Sequence, residues 1–323
     1  LGKNVKLSDD KTTAIAEING QVMLSGGSKL SVEPVYLVQG DVNLKSGGNI
    51  IFLGSVYVKG SVEDGFKVKA SGNIEVMGNV GKSELDAEGD IIVHQGINGK
   101  TEGKVRAGKT VWAKFIENSN VDSGDIVVAT DGIINSTVVS NRLIACIGKR
   151  ATIVGGRLTA TEEIHAKTLG SVSGSETILE VGWDPKSKEK LTRLEEELSE
   201  INKQIDDIER NIMTLENYKK KKKKLPDDKE EYLEDLKNQK LEVHNEMLRC
   251  EDEIKEVKEY LASLKYVGKV SAASKVYPGV KITIKDAPFK VRNDFGSVTF
   301  VNEEGDVKSI KYEPLEEDLT KNE

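Results

Sequence analysis

From residue 40 to about 170, apolar side chains alternate over only three to five positions before a turn residue interrupts them, and the interruptions recur. Gly48-Asn49-Ile50, Gly72-Asn73-Ile74, Gly89-Asp90-Ile91 and Gly124-Asp125-Ile126 share one form, with looser copies at Gly108, Asn141 and Gly156. From Gly72 onward the steps are 17, 19, 16, 17 and 15 residues. That period is too short for a propeller blade or a helical repeat and suits one turn of a β-solenoid built from three short strands. Ile74 and Val76, Ile91 and Val93, and Ile126 and Val128 follow their glycines at equal offsets. Alternate side chains share a strand face, so these pairs are expected to stack in columns inside the coil. A small residue precedes each corner (Ala70, Ala87, Ala107, Ser123, Ser140). The corner glycines are read as left-handed, with Asn141 a tolerated substitute. The prediction is a mainly β fold, a right-handed parallel β-helix with three-strand rungs, interrupted by an antiparallel α-helical coiled-coil hairpin. A sandwich with many glycine turns fits such regular short strands less well.

The flanks of the repeat divide the chain further. Residues 1–39 are weakly patterned. Ala14, Ile15, Ile18 and Val22 around Gly20 suggest a hairpin, and Val32, Val35, Tyr36 and Val38 a strand, read as capping strands left from an amino-terminal region. The solenoid is assigned to 40–185. Over 186–266 the period changes to three and a half: Leu191, Leu194, Leu198, Ile201, Ile205, Ile208, Ile212 and Leu215 form one seam. After Leu225-Pro226-Asp227-Asp228 a second seam runs from Leu233 to Leu264 with Lys240 as its polar member, whose ammonium is expected to leave the seam. Facing residues of an antiparallel hairpin have a constant sum of residue numbers. Leu194 with Val257, Ile201 with Cys250 and Ile208 with Val243 give 451, and Leu191 with Leu261, Leu198 with Ile254 and Ile205 with Met247 give 452, so this register is expected. Helices of about 36 residues would be roughly 54 Å long, an arm and not a cap. Strand character returns over 267–312, read as solenoid continuation and capping strands, and the acidic end 313–323 is expected to be a disordered tail.

Composition narrows the function. The chain of 323 residues is 37% hydrophobic and only 5% aromatic, which a core of Val, Ile and Ala allows. Its formal net charge of -7 argues against a general nucleic-acid partner. Cys146 and Cys250 fall in different segments, so a disulfide is not expected, in keeping with a reducing compartment. No run of about 18 apolar residues suggests a transmembrane helix. The chain opens on Leu1 and not on methionine, which is compatible with a fragment of a longer protein and makes the lack of a signal peptide weak evidence.

Several patterns look like chemistry. Gly103 to Thr110 fits the phosphate-binding pattern G-x-x-x-x-G-K-[ST], yet no apolar strand precedes it and Val111 to Ile116 alternates like a strand, so it is read as a solenoid corner. His94, His165 and His244 have no metal-ligand spacing with one another or with a cysteine. Asp90 and Asp125 fit polysaccharide chemistry only loosely, since Asx side chains already serve turns. No catalytic, cofactor or metal residues are nominated. The one candidate binding element is the run Lys219, Lys220, Lys221, Lys222, Lys223 and Lys224. A helix carboxyl end favours cations, but six lysines exceed what its dipole needs, and an anionic partner is the alternative.

Ala113-Lys114-Phe115-Ile116-Glu117-Asn118, Ile153-Val154-Gly155-Gly156-Arg157, Leu179-Glu180-Val181-Gly182 before Asp184-Pro185, the charged coiled coil, and Tyr277-Pro278-Gly279-Val280 occur in this order. In that order they resemble the bacterial flagellar assembly protein A family over roughly residues 30–290. Asn141 and Lys149-Arg150 depart from it, where glycine is more usual. The resemblance implies a cytoplasmic bacterial protein, with recruitment to the flagellated pole an extension of that reading. It further implies a non-enzymatic scaffold in flagellar assembly or its regulation, binding flagellar or polar regulatory proteins through solenoid and arm, with homo-oligomers compatible. The alternatives are a solenoid enzyme or binding module acting on polysaccharide, and a P-loop nucleotide-binding protein.

Overall fold

The computed structural model describes residues 2–316 and 319, apart from 19, 26–28, 223–225, 265 and 266. Two compact units emerge, Leu1–Pro185 with Tyr266–Glu323, and Lys186–Lys265.

In the first unit the chain winds into a parallel β-solenoid. One face stacks Val35–Val38, Ser55–Val58 and Ile74–Val76, then the leading parts of Ile91–Ala107, Val111–Ser123 and Ile126–Ser140, and then Leu143–Cys146, Glu163–Leu169 and Lys269–Val276. A second face stacks Ile50–Phe52, Lys67–Ala70 and Glu84–Ala87 with the trailing parts of the long strands, followed by Thr152–Ala160, Thr177–Val181 and Val280–Ile284. The third is narrower and begins as single bridges joining Val42, Val62, Val80 and Ile97. The expected columns form. Ile74, Ile91, Val111, Val127, Ile144, Ile164, Val270 and Phe300 stack in sequence and are fully buried. At about 1.5–3 kcal/mol for each buried aliphatic side chain, such columns are the main stabilising term. The small residues stack too: Ala70, Ala87, Ala107, Ser123 and Ser140 form one buried column. Its two serines donate hydrogen bonds to corner carbonyls, Ser123 to Ile126 O at 2.8 Å and Ser140 to Asp125 O at 2.6 Å.

Three expectations fail in detail. Ile126 and Val128 do not join the inner column. Val127 and Ala129 do, and a one-residue slip sends Ile126 and Val128 to the outer face beside Leu143 and Ala145. The corner glycines 72, 89, 108 and 124 are not left-handed, although Gly48 and Gly156 are, at φ 80° and 77°. Asn141 is not left-handed either. At the amino end, Ala14–Ala16 pairs with Val5–Leu7 and Gln21–Ser25 with Lys29–Glu33, so Ile15 and Val22 sit in separate hairpins. Val35–Val38 is already a parallel solenoid strand. At the other end Val298–Glu303 pairs antiparallel with Lys269–Val276 and with Asp306–Lys311, which ends the parallel stacking. Phe289, Phe295 and Phe300 close the core there, with ring centroids 5.4–6.2 Å apart.

The second unit is a pair of long helices, α1 (Pro185–Lys222) and α2 (Asp227–Ser263). Pro185 opens α1, where its missing N–H is no loss. Leu194, Ile201 and Ile208 of α1 are buried, as are Leu233, Leu236, Val243, Cys250, Ile254, Val257 and Leu261 of α2. The helices run antiparallel, but the register differs from 451 and 452. The Cys250 thiol donates to Leu194 O at 3.4 Å, which brings Cys250 to the level of Leu198 and not Ile201. Flanking ion pairs agree: Lys190–Glu253 gives 443, Lys258–Glu195 and Lys237–Glu216 give 453, and these straddle 448. Leu198 with Cys250, Ile201 with Met247 and Ile205 with Val243 all give 448. Lys240 leaves the seam as expected, its ammonium 2.7 Å from Glu209.

Candidate interaction surfaces

The lysine run closes α1 at the far end of the arm. Lys219 pairs with Glu230 across the turn, and Lys229 lies 4.9 Å from the ring centroid of Tyr218. Lys220 and Lys221 are exposed and carry no ion pair among the described residues. Lys222 is the last residue of α1, and Lys223 and Lys224 lie outside the described residues. Asp227, Asp228 and Glu230 occupy the first turn of α2. Each helix end thus bears the charge its dipole favours. The lysines outnumber that requirement, which leaves a cationic tip.

The motif resembling a phosphate loop is built differently from one. Gly103 to Ala107 is the end of a strand paired on both sides, Lys109 N donates to Gly89 O at the corner, and a strand starts again at Val111. No helix follows to aim its amino end at a phosphate. Asp90 accepts from Thr110 N at 3.0 Å, and Asp125 accepts from Arg142 Nε at 2.7 Å, so both carboxylates serve corners. A groove of about 490 Å³ on the solenoid unit includes Glu33, Tyr57 and Glu75 but neither aspartate. Glu75 is bonded there to His94 at 2.8 Å. His244 is exposed. Among the described residues no group of three His, Cys, Asp or Glu side chains is placed to hold a metal ion. Burial pushes the Cys146 thiol up to about 12, with Asp131 adding to the shift, and burial also raises Cys250. Both thiols are free.

One cluster escaped the sequence reading. Glu163 and His165 are buried on the outer side of one strand, with Nδ1 3.2 Å from Glu163 Oε1. Lys269 stands 3.3 Å from the same carboxylate and Tyr312 Oη 3.4 Å from His165 Nε2. Desolvation, then the Glu163 charge, holds the Tyr312 phenol above its usual range. The sequence signal was the spacing Glu163-x-His165 in a strand, which puts both side chains on one face.

Stacked parallel rungs, an arm inserted between two of them, and polar side chains committed to corners and ion pairs define a β-solenoid with a coiled-coil arm. The chain belongs to the flagellar assembly protein A family: the beta solenoid domain of that family matches residues 34–307. No curated protein and no solved structure matches the chain. Membership implies a role in flagellar assembly. Among the described residues no helix is long and apolar enough to cross a membrane.

Proposed function

We propose that this chain is a non-enzymatic scaffold of flagellar assembly, cytoplasmic and recruited to the flagellated pole, which holds protein partners through its arm and solenoid. The observation that carries the proposal is the pair Lys220 and Lys221, exposed and without an ion pair among the described residues, at the end of an arm some tens of ångströms long. A rigid helical pair that ends in clustered ammonium groups suits an acidic protein surface, whose attraction would raise the association rate and fade with salt. Domain roles follow: residues 186–266 reach the partner, 35–185 and 267–312 form the body, and the hairpins before residue 35 lead into its first rung. Changing Lys220 and Lys221, which carry no ion pair among the described residues, to glutamate should leave helical ellipticity nearly intact and weaken capture of flagellar proteins from a flagellated host. The same loss should appear in the wild type as salt rises. Undiminished capture by the charge-reversed protein would reject the tip as the contact.

A further inference from the structure

The outer side of the first solenoid face changes character along the coil. It carries Tyr57 and Glu75 on early rungs, then Trp112, Val128 and Ala145 in one register column, with Ile126 and Leu143 beside them. Ile126, Val128, Leu143 and Ala145 are each at most 6% exposed, although they point away from the core. What covers them is the chain's own end. Leu315 and Leu319 pack on this patch with Trp112 and Ile147 at its border. The column then turns polar at His165, Ser271 and Thr299, and the residues just before Leu315 meet it in kind. Tyr312 reaches His165, the Glu313 amide donates to Thr299 Oγ1 at 2.9 Å, and the Glu313 carboxylate lies 3.8 Å from Lys269. The expected disordered tail is therefore seated at Tyr312, Glu313, Leu315 and Leu319, an aromatic followed by leucines three and seven positions on, with carboxylates between.

Two further observations bear on what this face does. Tyr312 to Glu316 form no strand ladder, so the segment is held by side chains and one amide, the kind of local structure that opens without global unfolding. At the border of the same patch, the Trp112 indole Nε1 is buried with no acceptor among the described residues. A buried donor left unsatisfied is a standing cost that an occupant bearing a suitably placed acceptor would relieve.

We propose that this outer face is a peptide-docking site, occupied in cis by Tyr312, Glu313, Leu315 and Leu319. Its partner in trans is a protein segment of the same chemistry: a phenol, leucines at the third and seventh following positions, and flanking carboxylates. The seated tail is the argument for that occupant. The site lies on the solenoid and stands or falls apart from the lysine tip.

The test uses the full chain with Trp183→Phe, so that Trp112 is the sole indole. Leu315→Asp with Leu319→Asp should shift its emission to the red, and a labelled peptide of residues 311–323 should bind this variant one-to-one and restore the blue emission. The peptide should bind the parent weakly or not at all, and a scrambled peptide should bind neither. Val128→Asp in the tail-released variant should abolish binding, its inward neighbours Val127 and Ala129 being untouched. Emission unchanged on tail release, or a red shift with no peptide binding at millimolar concentration, would overturn the proposal. A parent dimer that dissociates on tail release would equally overturn occupancy in cis.

Discussion

A Cβ on Gly124 would stand 2.0 Å from the carbonyl oxygen of Gly108, and one on Gly108 would stand 2.1 Å from that of Glu88. Glycine is needed at these corners because the preceding rung passes through the space a side chain would fill. Gly48 is the opposite case, left-handed at φ 80° with nothing within 4 Å of where a methyl group would sit. Alanine at Gly124 should therefore cost the more, about 2–3 kcal/mol through steric overpacking, against about 1 kcal/mol at Gly48 through backbone strain alone. Urea unfolding of the two variants separates the cases, and equal costs would contradict them. The inner columns were legible because Ile74 and Ile91 repeat at a fixed offset. The reason for the glycines was not, because contact between rungs leaves no trace in local spacing. The outward placing of Ile126 was hidden for a related cause: in Ile126-Val127-Val128-Ala129 both faces are apolar, and alternation cannot tell in from out. The thiols follow from burial. With its pKa pushed up to about 12, Cys146 should resist Ellman's reagent at pH 8 until the protein unfolds. Rapid reaction of native Cys146 would refute its place in the core.

At the scale of elements, the seam spacing of three and four closes equally well at 448 or at 451 and 452, so the apolar residues alone leave the arm's register open. The flanking charges decide it. Only near 448 do Glu195 and Lys258, Glu216 and Lys237, and Lys190 and Glu253 meet across the helices. Each exposed pair is worth less than about 1 kcal/mol, but several in concert outweigh a neutral seam. The information was present in the sequence and lay outside the hydrophobic pattern. With Cys146 replaced by alanine, Leu198→Cys should oxidise with Cys250 within one chain, and Ile201→Cys much more slowly. The reverse order of rates would restore 451. Ile201→Asp should bury a charge against Met247 and lower helical ellipticity while strand signal persists.

At the scale of the whole chain, the arm is an insertion whose two roots meet. Thr177–Val181 ends one rung and Lys269–Val276 begins the next, and a Cβ on Gly268 would lie 2.6 Å from Gly182 N. The solenoid stacks on across the interruption, since Val280–Ile284 lies on Thr177–Val181 as its predecessor does. Periodicity made this legible, because strand character returns after 268 in the same alternation. The outer apolar face and its seated tail were not legible, since Leu315 and Leu319 stand among carboxylates that read as solvated. The most direct measurement of the scaffold account replaces Lys188 to Leu264 with a short Gly/Ser linker. The account predicts a protein that unfolds cooperatively as a β body yet no longer captures flagellar partners or supports normal swimming in a flagellated host. Retention of both partners and swimming by the armless protein would contradict it.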